Sequence, residues 1–323
     1  MIGALRHVRV TAAALCLSAA LAAGATPGPQ DAPAAGPGRQ SPEGGVTQAT
    51  RRHYSLAARV RPLLFWVGKD NVGEGHISWL SRQNGERGYE LLIGSLPDRA
   101  PRRINRWGYI SEVEEGPAVR VLGFMTEVDE ETYEQAEATS GGIPQGSRPF
   151  KVIQGTVAGA TATSNVSGVA LSDKLTLRDL DKVAAQVPAP GGGVAMAVPA
   201  GTERGFLFAM ASLLRENVET AVRTGAPPVS TARSYVYGKK LYEVTTRSSR
   251  LLKQTVIRGR AFTDVIDSQF EARQRGKGGG AKFRLVYGTA GDLREVPVRI
   301  VYRPKWWFEA DLVLLPDPVA PQS

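Results

Sequence analysis

A period of two runs through most of this chain, interrupted in the middle by a period near 3.6. Tyr54, Leu56, Ala58 and Val60 alternate with Ser55, Arg59 and Arg61, so one face of that stretch is apolar and the other is not. Ile77, Trp79 and Ser81 alternate likewise, and after QNGERG so do Tyr89, Leu91 and Ile93. Asn84-Gly85 tolerates positive φ, which predicts a hairpin between these two runs. Further strands are expected at 103–112, 118–126, 150–158 and 165–171. They return after Ser230 at 233–238, 240–247, 253–258, 261–273, 282–288, 295–303 and 307–314.

The helical spacing falls between those two sets. In LTLRDLDKVAAQV, Thr176 can cap with Asp179 behind it, and Leu177, Leu180, Val183, Ala184 and Val187 form one stripe. In TERGFLFAMASLLRENVETAVRTGAPP, Leu207, Met210, Ala211, Leu214, Val218 and Val222 share a face. Thr202 is the candidate cap there, and Gly225 followed by Pro227-Pro228 stops the helix. A short acidic helix is expected at 129–138. The class is therefore α+β, mainly antiparallel β. Strands on both sides of a helical centre need a helix stripe to cover their inner face, so one or two helices are expected to pack on the sheet.

The first 25 residues have the layout of a secretory signal peptide. Arg6, His7 and Arg9 precede an apolar run over 10–23, and Ala23-Gly24-Ala25 offers a cleavage site. The run is shorter than the roughly 20 residues a membrane span needs. No transmembrane segment is expected after cleavage. Residues 26–50 are Pro, Gly, Ala and polar residues without periodicity and read as a disordered tether. A single β-rich domain is expected over 51–316, with its helical central segment at 172–228 and a tail at 317–323. Export to the periplasm or envelope of a bacterium fits this layout and a composition rich in Ala, Arg and Gly.

Composition removes several chemistries. Cys16 is the only cysteine and leaves with the signal, so the mature chain has no disulfide, thiolate metal site or cysteine nucleophile. His53 and His76 are too few for a histidine-rich metal site. No metal and no cofactor is expected. The chain carries 40 Lys and Arg against 31 Asp and Glu, a formal net charge of +9. The charge is uneven: nine acids lie between Glu112 and Glu137 beside the single base Arg120, whereas 230–310 hold seventeen bases and seven acids. Outside the cytoplasm such a basic half points away from nucleic acid, towards anionic lipid headgroups or an acidic envelope polymer, or, in an interaction module, towards an envelope protein; the alternative is a solvated face.

Residues 297–314, PVRIVYRPKWWFEADLVL, pair best with Tyr302 opposite Phe308, Ile300 opposite Ala310 and Val298 opposite Leu312, which makes one face wholly apolar. Trp306 then falls in the turn, and Trp307 lies beside Arg303 on the charged face. The two rings either fold down over a barrel rim or a helix end or form an aromatic platform for a lipid, a glycan or a partner protein. Glu309 and Asp311 share a face, but Arg299 is the expected neighbour of Asp311, so a charge ladder explains them better than a carboxylate dyad. Neither Gly-x-Ser-x-Gly nor Ser-x-x-Lys occurs. RGKGGGAKF lacks the Gly-Lys-Ser/Thr of a phosphate loop and precedes a strand.

The stretches YVYGKKLYEVTTRSSRLLKQTVIRGRAFTDVIDSQFEAR and KFRLVYGTAGDLREVPVRIVYRPKWWFEADLVL resemble exported families of unknown function likened to the lipoprotein carriers LolA and LolB. YSLAARVRPLLFWVGKDNVGEGHISW is similar to their opening strand pair, and about half of the chain is covered. The resemblance implies a strongly curved sheet or open β-barrel round a helix, with an apolar cavity on its concave side. It carries over no binding residues. The resulting expectation is a non-catalytic protein that holds a lipid or other apolar envelope component. Its candidate rim and cavity residues are Trp306, Trp307, Arg303, Tyr302, Phe308, Trp66, Phe206 and Met210. The alternatives are an interaction module of an envelope assembly and a hydrolase without a recognisable motif, for which His76 would need a serine and an acid beside it.

Overall fold

The computed structural model of the protein describes residues 46–61, 66–188 and 192–316. The expected signal peptide, most of the tether and the tail lie outside these residues. The first half contains β1 (Val46–Val60), β2 (Val67–Arg82), β3 (Arg87–Ser95), β4 (Trp107–Glu115), β5 (Ala118–Met125), α1 (Glu130–Ser140), β6 (Ser147–Ala158) and β7 (Thr161–Ser172). The centre holds α2 (Leu180–Gln186), β8 (Val194–Ala197) and α3 (Phe206–Thr224). The second half contains β9 (Ala232–Tyr237), β10 (Lys240–Ile257), β11 (Arg260–Gln274), β12 (Ala281–Gly288), β13 (Pro297–Lys305) and β14 (Phe308–Leu314).

All fourteen strands belong to one sheet, in the order β8-β7-β6-β5-β4-β3-β2-β1-β14-β13-β12-β11-β10-β9. Each pairing is antiparallel, as expected from the alternation. Two meanders are joined in the middle by β1 and β14, with Tyr54 opposite Leu314 and Ala58 opposite Ala310. The sheet is not closed. Its edges are β8 and β9, and the chain between those edges contains α3.

The edges are nevertheless in contact. Val157 of β6, Ala162 of β7, Val198 and Val236 of β9 share a buried cluster. The segment after β8 bonds to both sides: the Val198 N–H donates to the Ala160 carbonyl at 2.8 Å, and the Glu203 N–H donates to the Ser234 carbonyl at 2.7 Å. The largest core cluster joins Phe206, Ala209, Met210, Leu213, Leu214, Val218 and Ala221 of α3 to residues of β1–β4, β6 and β9–β14. A second cluster, built on Leu92, Trp107, Phe124, Phe150 and Val152, is covered by Leu177 and by Val183 of α2.

Several boundaries differ from expectation for local reasons. β1 begins at Val46, inside the stretch read as tether, because β2 runs on to Arg82 and pairs with it. The expected strands 240–247 and 253–258 are one strand, β10, with an irregularity between Thr246 and Ser248. β4 starts at Trp107 because a 3-10 turn occupies Pro101–Arg103. Thr176 and Asp179 form the expected capping box, followed by a 3-10 turn that runs into α2.

The terminal hairpin keeps its predicted face but not its predicted partners. Tyr302 lies opposite Ala310 and Ile300 opposite Leu312, two residues from the expected pairing, and Lys305 meets Phe308 across the two-residue turn Trp306–Trp307. A two-residue slip preserves which side chains face the core, so the apolar pattern does not discriminate against it. The tight turn and the irregularity between Tyr302 and Lys305 fix the register instead.

Candidate apolar binding pocket

α3 is positioned from both ends by groups distant in sequence. Its first residue follows Gly205, which carries no side-chain cap, and Thr202 lies three residues further back rather than at the expected capping position. The cap comes from β4. Glu112 Oε2 accepts from the backbone N–H of Leu207 at 2.9 Å and of Phe208 at 3.1 Å, satisfying helix-start donors that would otherwise lack partners. A Cβ at position 205 would run into the Glu112 carboxyl, so a larger residue there would have to displace the capping group. Burial pushes the Glu112 carboxyl up to about 7, against the lowering effect of the backbone N–H groups of Phe208, Leu207 and Phe206.

The second half of α3 is tied by a buried polar chain. Asn217 Nδ2 donates to the Tyr287 hydroxyl at 2.9 Å, which in turn lies 2.9 Å from the Ser268 hydroxyl. Ser249 continues the chain 2.7 Å from Ser268. Gly225, at φ 80°, ends the helix in the left-handed conformation that glycine adopts without penalty. A helix held at both ends sets a fixed distance to the sheet beneath it.

Between α3 and the sheet lies a cavity of about 150 Å³ that opens to solvent. Ile77, Trp79, Tyr89, Leu91 and Ile93 of β2 and β3 form one wall. Phe283, Leu285, Pro297 and Ile300 of β12 and β13 form the other, and Phe206, Leu207, Met210, Ala211 and Leu214 of α3 form the roof. Among the described residues that line it, only Arg215 and Glu295 are charged. Their nearest N and O atoms are 3.8 Å apart, a loose ion pair in which Arg215 is half exposed.

The candidate residues divide into separate groups. Phe206 and Met210 line this cavity. Tyr302 and Phe308 are buried in the main core but do not line it. Trp66, Trp307, Arg303 and Trp306 gather near the far end of β13, roughly 26 Å of strand away from Pro297. There the Arg303 guanidinium lies over the Trp66 ring, 5.4 Å from its centroid, and not over Trp307. Trp307 is half-buried against the core edge, with its ring 6.2 Å from that of Phe308, while Trp306 is 71% exposed. Arg303 is also bonded to the buried Glu309. The tryptophan turn and the cavity are thus different places on the molecule.

Of the lining residues, the sequence marks only Phe206 and Met210 as binding candidates. It marked Ile77, Trp79, Tyr89, Leu91 and Ile93 as one face of a hairpin, which is the wall they build. Pattern alone could not say that β12 and β13 supply the opposite wall, since that depends on the strand order.

His76 sits opposite His53, with ring centroids 6.0 Å apart, and burial lowers its pKa to about 4. Its charged neighbours are Arg51, His53 and Glu74, and an imidazole tuned so low is a weak general base near neutrality. Asp311 is held by Arg299 at 2.8 Å, as the charge-ladder reading requires, although Val301 is its cross-strand partner. Among the described residues, no group of three or more His, Cys, Asp or Glu is arranged to hold a metal ion. No described helix is long and apolar enough to cross a membrane.

No protein-family model matches the chain, and no curated protein matches it. Among solved structures it is similar to a beta-barrel-like protein of the domain of unknown function DUF1849 from Brucella abortus. The identity is 10% and the TM-score 0.40, over 82% of this chain and 95% of that chain.

Proposed function

We propose that this is an exported, non-catalytic protein that binds a lipid or another apolar envelope component in the cavity under α3, with the sheet acting as an open barrel round that helix. The observation that carries the reading is the cavity itself: an open space lined by apolar and aromatic side chains in a region that otherwise packs tightly. Natural cores leave few voids larger than a water molecule. An apolar space that opens to solvent is a cost to stability unless something fills it. Export is supported by the charged start, apolar run and small-residue site over 1–25.

The interaction-module alternative has less support. Much of the positive charge in the basic half is matched within the sheet: Arg250 and Arg284 flank Asp267, Arg299 holds Asp311, and Arg303 holds Glu309. Paired guanidinium groups offer less to an outside polyanion than free ones.

Native mass spectrometry of protein purified from its own host is expected to reveal a co-purifying apolar species. Ala211→Trp, which fills the cavity from the roof, is expected to remove that species while the fold is retained by circular dichroism. A wild-type protein that carries no guest and takes up no apolar probe in solution sinks the reading.

A further inference from the structure

The size, lining and mouth of the cavity narrow the guest further than "apolar". An apolar cavity of about 150 Å³ accommodates one benzene-sized ring. A long acyl chain needs several times that room. Four aromatic rings, those of Trp79, Tyr89, Phe206 and Phe283, line the space. Aromatic walls suit an aromatic guest, because offset and edge-to-face contacts add to simple burial.

The mouth selects for charge. Arg215 stands there with Glu295 at 3.8 Å, beyond hydrogen-bonding distance. Arg294 lies 3.4 Å from the other oxygen of the same carboxylate. Two guanidinium groups therefore share one carboxylate, which leaves these three side chains with an excess of one positive charge. Arg215 is the member that lines the cavity, and its donors are not engaged by the loose pair. Glu295 has a left-handed backbone, φ 62°, which holds it at this position despite the cost to a residue with a Cβ.

We propose that the guest is a small aromatic monoanion, of the arylcarboxylate class, whose ring lies between α3 and the sheet and whose carboxylate takes the donors of Arg215 in place of Glu295. The proposal rests on the binding function argued above and adds the guest's size and charge. The guanidinium fork donates two parallel hydrogen bonds to a carboxylate, and the contact is stronger at the edge of an apolar cavity than in open water.

Calorimetric titration with phenylacetate, its neutral counterpart phenylacetamide, and palmitate tests it. Phenylacetate is expected to bind about tenfold more tightly than the amide, as a charge-assisted hydrogen bond requires, with palmitate binding more weakly than either. Arg215→Met should reduce phenylacetate to the level of the amide and leave the amide unchanged. Glu295→Gln should strengthen phenylacetate, since it removes the competing carboxylate. Equal affinities for the acid and the amide, or tighter binding of palmitate, overturn the aromatic monoanion and leave the apolar-guest reading standing. Binding of none of the three probes overturns both.

Discussion

Glu112 is a carboxylate with almost no access to water, held against the start of a helix that donates to it. Two effects oppose each other. The helix N–H groups favour the anion, and removal from water disfavours it. Desolvation wins, which places the folded-state value at about 7 against an ordinary 4.5. Between those values the folded protein binds a proton that the unfolded chain has lost. This contribution to stability is therefore full below pH 4.5, falls as pH rises towards 7, and is gone above it. The total is on the order of 3 kcal/mol. Glu112→Gln is expected to abolish this descent, so urea unfolding of wild type and variant at pH 5 and pH 8 should show the gap between them changing with pH. A constant gap would mean that Glu112 stays charged throughout. Nothing local in the sequence announces this role. Glu112 opens the acidic segment 112–137, whose pattern shows only uneven charge, and its partners Leu207 and Phe208 lie 95 and 96 residues away. Glu114, two residues on, is likewise drawn inward, to Arg87 and Arg204.

The elements were largely legible because hydrophobic period is a local property. Gly225 marked the end of α3, and Thr176 with Asp179 marked the capping box ahead of α2. The start of α3 was not legible, because its cap is a side chain on β4 and not Thr202. The last hairpin separates what a pattern can specify from what it cannot. Parity decides which residues face inward, and the sequence contains parity; the offset depends on turn geometry, and two registers of equal parity look alike. Because the turn is only Trp306–Trp307, the two rings have different surroundings. Trp306→Ala is expected to change unfolding free energy by less than about 0.5 kcal/mol, as surface substitutions usually do. Trp307→Ala should cost about 1–2 kcal/mol through lost burial at the core edge. Thermal melts of both variants distinguish them, and equal effects would contradict the positions described for the two rings.

At the scale of the whole molecule, the strand order is the least legible feature. β1 and β14 pair at the centre of the sheet, while β8 and β9, close in sequence, are its two edges. Short-range signals predict hairpins between successive strands, and these occur; no such signal links Tyr54 to Leu314. The cavity inherits that difficulty, since its walls come from β2 and β3 on one side and β12 and β13 on the other. If the central pairing unites the halves, a chain ending at Lys305, without β14, should lose cooperative unfolding and become sensitive to protease throughout. Two protected fragments of unchanged stability would show instead that each meander stands by itself.

The pairing of β1 with β14 also sets an order of events as the chain first folds. The earliest of these strands to emerge must wait for the latest before its second flank is covered, and until then it presents bare backbone groups to any neighbour that can add a strand. Contacts of such long sequence separation form slowly. The unfolded chain is therefore expected to depend on a holdase that shields this flank until β14 arrives, and refolding from urea should give more soluble protein when a holdase is added.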